Sequence, residues 1–343
     1  MAYKRVTIQD IADACSLSRN TVSKVFNDRG TVPQATRQAV LQKAQELGYF
    51  QTVSEPQTVQ TVQPKSITLL TRRAPREGHF GTVFLPSFTG HLSRAGYTLT
   101  MYEISREELR GKHLPAHIAI DQTAGILIIE LFDQDYLDML CSLGIPCLSV
   151  DSSAKAGLSP MCCDFISMES LSSAALLTSH VIKAGARHLG FVGDPQHCNS
   201  FRQRWLGFCD ALNEAGLSVD QKLCIMEEDG PFYSNEDWLI KRFQSMEDKP
   251  DALICANDFL AIHMMAALKH LGLTVPDDIM VTGFDGTPQS AVVEPSLTTV
   301  QIPSNDIGRM AADILLGRIK NPDRPFCSTY VKTTPIWRKS TSW

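Results

Sequence analysis

Apolar residues recur along the chain in two rhythms, and the change from one to the other divides it. Thr7-x-x-Asp10 has the form of a capping box, with Ile8, Ile11 and Ala12 as the apolar stripe of a short helix behind it. Cys15-Ser16-Leu17 interrupts the stripe, and Ser18 is suited to cap a second helix in which Val22, Val25 and Phe26 fall on one side. The other side then carries Arg19, Asn20, Thr21, Ser23, Lys24 and Asn27, all able to form hydrogen bonds. Pro33 suits the first turn of a third helix, Val40, Leu41, Ala44 and Leu47 give its stripe, and Gly48 its stop. From Ser66 onward short apolar runs alternate with amphipathic stretches. Strands are expected at 67–70, 97–102, 125–129, 145–150, 188–192, 252–255 and 279–282, and helices at 80–96, 171–184, 204–215 and 258–271.

Three short helices with a tight turn between the first two predict a helix-turn-helix unit, whose second helix can face base edges in a major groove. A small bundle with a solvated polar face has the same spacing. The strand–helix alternation that follows predicts parallel sheets covered on both faces, two of them at this length. Ligands of such folds bind at the carboxyl ends of strands, which singles out Asp151, Asp194, Asn257, Asp258 and Asp285, although each could equally be a loop acid or a helix cap.

Charge separates the same two parts. Residues 1–50 carry seven Lys/Arg against four Asp/Glu, whereas the remaining chain carries 25 against 33. A basic head on an acidic body points to a polyanion as the partner of the head alone. The 343 residues, 43% hydrophobic and 20% charged, describe a globular chain with no apolar run long enough for a membrane span. The ten cysteines lack C-x-x-C spacing, and the adjacent Cys162-Cys163 fits neither zinc nor disulfide-framework spacing, so reduced thiols, no metal and a cytoplasmic location are expected. The polar N-terminus has no apolar signal core, which argues against a secreted solute-binding protein.

The head motifs are Thr7-Ile-Gln-Asp-Ile-Ala12, Leu17-Ser-Arg-Asn-Thr-Val-Ser-Lys-Val-Phe-Asn27, Thr36-Arg37 and Glu46-Leu-Gly-Tyr49. They resemble, without a gap, the headpiece of the LacI/GalR family of bacterial transcription regulators. By that resemblance Arg19, Asn20 and Lys24 read bases, while Thr7, Ser18, Thr21, Ser23, Asn27 and Thr36 hold the DNA backbone. Arg and Lys can donate to guanine, and Asn can pair with adenine, in the major groove. Ser16 stands where the family usually has a turn glycine.

Body motifs resemble the periplasmic-binding-protein-like effector domain of the same family, in the family's order: Ser200-x-x-x-Arg204-x-x-Gly207-Phe208, Pro250-Asp-Ala-Leu-Ile-Cys-Ala-Asn-Asp258, Val275-Pro-Asp-Asp-Ile279, Gly283-Phe-Asp285 and Pro295-Ser-Leu-Thr-Thr-Val300. The implied fold is an all-α helix-turn-helix headpiece (1–50) followed by an α/β effector and dimerisation domain (66–343) of two doubly wound subdomains. The first subdomain is expected at about 66–162 and 288–325, the second at 163–287 and 326–343. Arg204, Asn257 and Asp285 match effector-binding positions, with Ser200 one helical turn before the arginine; Phe232 or its neighbour Tyr233, Phe80 and Asp151 are further candidates for effector binding. A guanidinium opposed by a carboxylate and an amide can satisfy the hydroxyls of a sugar.

Three further departures qualify the resemblance. Residues 51–65 carry Pro56 and Pro64 but neither the leucine nor the alanines of the family's hinge helix, so an extended tether reaching roughly 50 Å at ~3.3 Å per residue is expected, with Val59 the nearest candidate for a minor-groove wedge. Arg72, Arg73 and Arg76 precede Glu77-Gly-His-Phe-Gly81 near the expected cleft mouth, where a solvated loop or an attraction for an acidic effector are both open. Gly286 replaces the second acid usual after Phe-Asp.

The expected protein is a homodimeric repressor binding a palindromic double-stranded operator and released by a small carbohydrate effector. An effector-promoted regulator responding to a non-sugar metabolite is the alternative. A sugar-converting enzyme is the rival class, but no phosphate loop, G-x-S-x-G elbow, H-E-x-x-H or dinucleotide fingerprint occurs, so neither catalytic residue nor cofactor is expected.

Overall fold

The computed structural model describes residues 6–26, 32–47, 66–73, 80–155 and 160–341. The chain divides into two compact units, 1–63 and 64–343. Asn27, Gly48, the tether at 51–65 with Val59, and Arg76 lie outside the described residues.

The first unit holds α1 (Ile8–Ala14), α2 (Arg19–Phe26) and α3 (Gln34–Glu46). The capping box forms as read: the Asp10 amide donates to Thr7 Oγ1, and the Thr7 amide donates to Asp10 Oδ2 at 2.7 Å. Ser18 caps α2 by accepting from the Thr21 amide at 3.1 Å. Ile11, Ala12, Val22, Val25, Val40 and Ala44 make the core. Leu41 and Leu47 are exposed instead of sharing it, because Val40 and Ala44, one turn apart, already fill the inner face of α3. The turn between α1 and α2 puts Ser16 at φ 52, the left-handed conformation a glycine adopts without strain.

The second unit runs β1 (Ser66–Thr71), α4 (Phe80–Arg94), β2 (Thr98–Glu103), α5 (Arg106–Gly111), β3 (Thr123–Ile129), α6 (Gln134–Ser142), β4 (Cys147–Val150) and β5 (Asp164–Met168). It continues through α7 (Leu171–Lys183), β6 (Leu189–Val192), α8 (Asn199–Glu214), α9 (Glu236–Gln244), β7 (Ala252–Cys255), α10 (Asp258–His270) and β8 (Met280–Thr282). The last elements are α11 (Pro288–Val292), β9 (Thr299–Gln301), α12 (Ser304–Lys320), β10 (Ser328–Val331) and β11 (Thr334–Ile336). Six strands form a parallel sheet in the order β10-β5-β4-β3-β1-β2, and three form a second in the order β6-β7-β8. An antiparallel pair, β9 with β11, completes the strands among the described residues.

The six-stranded sheet takes in β5 and β10, so the chain leaves it after Met168 and again after Val331, later than the crossings expected near 162 and 325. The reason is the buried carboxylate of Asp164. It accepts from Arg318 of α12 at 2.8 and 3.0 Å, from Arg324 at 3.1 Å and from the Cys327 amide at 2.9 Å, which fixes 164–168 and 324–331 to the first lobe. Helix α8 starts five residues before the expected 204, bringing Ser200 into its first turn. A Cβ at Gly207 would sit 2.1 Å from the Leu171 carbonyl, so only glycine lets α8 lie this close to α7.

Candidate functional site

In the first unit, burial of Val22 and Val25, with Phe26 packed beside them, turns the opposite side of α2 outward. Arg19, Asn20 and Lys24 are exposed, and no acidic residue stands in the first turn of the helix. An electropositive helix N-terminus with an arginine and an amide side by side can approach phosphate and present donors to base edges. The hydroxyls are more engaged. Ser18 Oγ and Thr21 Oγ1 lie 2.8 Å apart, and Thr7 Oγ1 is 2.6 Å from Asp10 Oδ2. Ser23 and Thr36 are half-buried, Thr36 in the first turn of α3.

In the second unit the carboxyl ends of the strands converge on a cleft. The segment after β8 places Phe284 in the core and Asp285 at φ 119, a conformation rarely adopted by a side-chain-bearing residue. It is held there by the Asp285 amide donating to Val300 O at 3.0 Å and the Ile302 amide donating to Asp285 O at 3.3 Å. Asp285 Oδ1 lies 3.5 Å from Nη1 of Arg204, whose guanidinium stacks 3.7 Å over the Phe284 ring and donates from Nη1 to Ala256 O at 2.5 Å. Arg204 is 3% exposed, and its Nε has no hydrogen-bond partner among the described residues. A buried donor beside a partly satisfied carboxylate is costly unless another group completes the set. Burial pushes the Asp285 carboxyl up to about 7 against the pull of Arg204, with Asp258 and Glu130 raising it further.

A cavity of about 440 Å³ opens beside this pair, lined among others by Phe80, Val83, Asp285, Gln301 and Asn305. Its size suits a small molecule. Gly286, the departure from the family pattern, sits at φ 70 with its would-be Cβ only 2.8 Å from Gln301 Cα, so no second acid fits there.

Not every candidate lines that cavity. Asp151, at φ 59 after β4, accepts from the Ser200 hydroxyl at 2.6 Å and from the Ser200 amide at 3.2 Å, while Asn199 donates to Ser152 O at 2.8 Å. These bonds join the six-stranded lobe to α8 of the other lobe, so Asp151 and Ser200 form a latch across the cleft. Asn257 caps α10, its Oδ1 accepting from the Leu260 amide at 2.9 Å. Asp258 is buried and gathers Thr287 and Thr299, a structural knot beneath the Gly283-Phe-Asp285 turn. Phe232 packs on Tyr233 and Trp238, at ring-centroid distances of 5.0 and 4.5 Å, outside the cavity lining. Asp194 accepts from the amides of Gln196 and Asp229. Arg72 donates to Ile104 O, engaged with its own lobe.

One residue escaped the sequence reading. Glu130 follows β3 at φ 51, and burial raises its carboxyl above the usual range, opposed by Arg73. Glu130 stands directly after the 125–129 run, the kind of position that the weighing of polar residues after strands covers. It joins Asp151 and Asp285 as three acids in left-handed backbone at strand ends.

Comparison with known proteins places both units. Residues 7–51 match the family of bacterial regulatory proteins, lacI family, and residues 178–341 match the periplasmic binding protein-like domain. The HTH-type transcriptional repressor PurR of Haemophilus influenzae (strain PittEE) is 30% identical over 321 residues, 92% of each chain. The repressor of the same name from Photobacterium profundum is 27% identical over 318 residues, again 92% of each. Among solved structures, the lac repressor dimer bound to operator and the anti-inducer ONPF superposes with a TM-score of 0.71 at 23% identity, covering 98% of this chain and 99% of that one. The transcriptional regulator CelR–cellobiose complex gives 0.70 at 23% identity, covering 98% and 100%. At these identities the likeness establishes the fold.

Proposed function

Since the chain belongs to the lacI family of bacterial regulatory proteins, DNA-binding transcriptional repressors rather than a family of enzymes, we propose that α2 reads operator bases while the two-lobed body senses a small polar metabolite. The observation that carries the reading is the outward set Arg19, Asn20 and Lys24 on a helix whose other face is locked by Val22 and Val25. Arg19 and Lys24 donate to guanine O6 and N7, Asn20 pairs with adenine, and Thr7, Ser18, Thr21, Ser23, Asn27 and Thr36 fix register on the phosphates. Two heads on a two-fold body require a palindromic operator with half-sites about one helical turn apart.

In the body, the Arg204–Asp285 pair, whose Asp285 lines a cavity together with Phe80, supports a hydroxyl-rich effector such as a carbohydrate. A vicinal diol donates to Asp285, accepts from Arg204 and lays its apolar face on Phe80. Effector-induced rearrangement of the Asp151–Ser200 latch is the means by which the lobes change their relation, since a ligand shifts an equilibrium only through contacts that differ between states. Electrophoretic retardation on a selected operator, with and without sugars scored first by thermal shift, tests both halves. Retention of specific binding by the Asn20→Ala/Lys24→Ala double variant would remove the base-reading assignment.

A further inference from the structure

Four cysteines with no metal-binding spacing along the chain are drawn together by the fold of the first lobe. Cys141 stands in the last turn of α6, Cys147 opens β4, and Cys162 and Cys163 lead into β5. The Sγ atoms of Cys141, Cys162 and Cys163 all lie within 4.8 Å of one another. Cys141 Sγ and Cys162 Sγ are 2.7 Å apart, and Asp138 Oδ1, one turn before Cys141 on α6, is 3.7 Å from Cys162 Sγ. Cys163 is buried, while Cys141 and Cys162 are half-buried, leaving an entry path. Cys147 is buried behind them, its thiol directed to Ile145 O at 3.2 Å. The cluster stands at the amino ends of β4 and β5, the opposite end of the sheet from the Asp151–Ser200 latch and the Asp285 cavity.

We propose that Cys141, Cys162, Cys163 and Asp138 form a binding site for one zinc ion, separate from the effector cleft. Tetrahedral zinc takes sulfur at about 2.3 Å and carboxylate oxygen at about 2.0–2.2 Å. Those lengths place neighbouring sulfurs about 3.8 Å apart and sulfur and oxygen about 3.5 Å apart. The observed Asp138–Cys162 separation already meets the second figure, and the three sulfurs lie within reach of the first. The Cys141–Cys162 pair must open by about 1 Å, and Asp138, which touches Cys162 and accepts from Gln134 Nε2 at 2.9 Å, must swing toward Cys141 and Cys163 to complete the set; side-chain rotations supply both. Binding exchanges protons for metal without redox chemistry: three thiols lose one proton each to solvent as the thiolate–zinc bonds form. The ion would clamp the end of α6 to the segment entering β5, whose first residue, Asp164, anchors Arg318.

The test uses the full chain, reduced and stripped of metal, titrated with Zn²⁺ and separately with Co²⁺. One metal per chain is expected, with a strong thiolate-to-cobalt band in the near ultraviolet and the visible bands of tetrahedral Co²⁺. Cys162→Ser should lower zinc affinity at least tenfold and weaken the thiolate band, Asp138→Asn should lower affinity with the band retained, and Cys327→Ser should change neither. Circular dichroism of each metal-free variant checks that it folds, and Cys141→Ser replaces Cys162→Ser should the latter not. Substoichiometric binding, an octahedral spectrum, or a Cys162→Ser chain that binds as tightly as the parent would overturn the site. So would reduced protein that takes up no zinc yet forms a Cys141–Cys162 disulfide when treated with peroxide. None of these outcomes depends on DNA binding or effector response.

Discussion

Replacing Asp285 by asparagine separates the charge of the cleft from its shape. The carboxylate is only 16% exposed, lies 3.5 Å from Arg204 Nη1, and is pushed up to about 7, chiefly by burial. In the unfolded chain the same group titrates near 3.9. A folded value above the unfolded one means that its contribution to stability is full below about pH 4 and is lost as the pH rises through 7. Three pH units at about 1.36 kcal/mol each set the total loss at about 4 kcal/mol, of which about 2–3 kcal/mol falls between pH 5 and pH 8. Asparagine does not titrate. It also weakens the attraction for Arg204, an offset that stays nearly constant over this range because arginine remains charged. The stability of Asp285→Asn relative to the parent should therefore rise by about 2–3 kcal/mol from pH 5 to pH 8. Urea unfolding followed by tryptophan fluorescence measures this cleanly, since all four tryptophans lie in the second unit, at 205, 238, 337 and 343. Parallel pH profiles for parent and variant, within about 0.5 kcal/mol, would refute the claim that burial of this carboxylate opposes its charge.

Further outcomes follow from the same geometry. Arg204→Ala should leave operator affinity unchanged and abolish the effector response, read by retardation with and without a ligand found by thermal shift; a normal response would displace Arg204 from the site. Arg318→Leu strands the buried Asp164 carboxylate and should cost about 3–5 kcal/mol in urea unfolding. Ser16→Gly relieves the left-handed turn at φ 52 and should stabilise the head by about 1 kcal/mol, seen as slower amide exchange in α1 and α2 of the full chain.

Local chemistry made much of this fold legible. The Thr7–Asp10 capping box and the Ser18 cap involve residues three apart, and both form where the pattern puts them. Strand runs such as 252–255 are fully buried on both faces and carry uninterrupted apolar letters. What escaped depends on distant partners. β10 alternates exposed with half-buried residues and exists only by pairing with β5, so the lobe boundary could not be placed from letters alone. Helix α8 begins with Asn199 and Ser200, whose caps and contacts come from Ser152 and Asp151 some fifty residues away. Among the cleft candidates, Asp285 and Phe80 line the cavity and Arg204 pairs with Asp285, whereas Asn257 caps a helix, a distinction that residue type alone does not make. Glu130 and Asp151 share the left-handed backbone of Asp285, a property of the strand ends that no composition reveals. The cysteine cluster is the extreme case, because its members join from three segments only after the sheet is built.

The polar side of α2 is proposed to read DNA sequence. Selection of binding sites from a pool of random duplexes by the purified full chain, followed by footprinting of the selected site, tests it most directly. A palindrome of two half-sites should emerge, with protection that weakens steeply as salt rises and is absent for Asn20→Ala/Lys24→Ala. A folded parent protein that enriches no sequence at any ionic strength, or a double variant that selects the same palindrome, would contradict it.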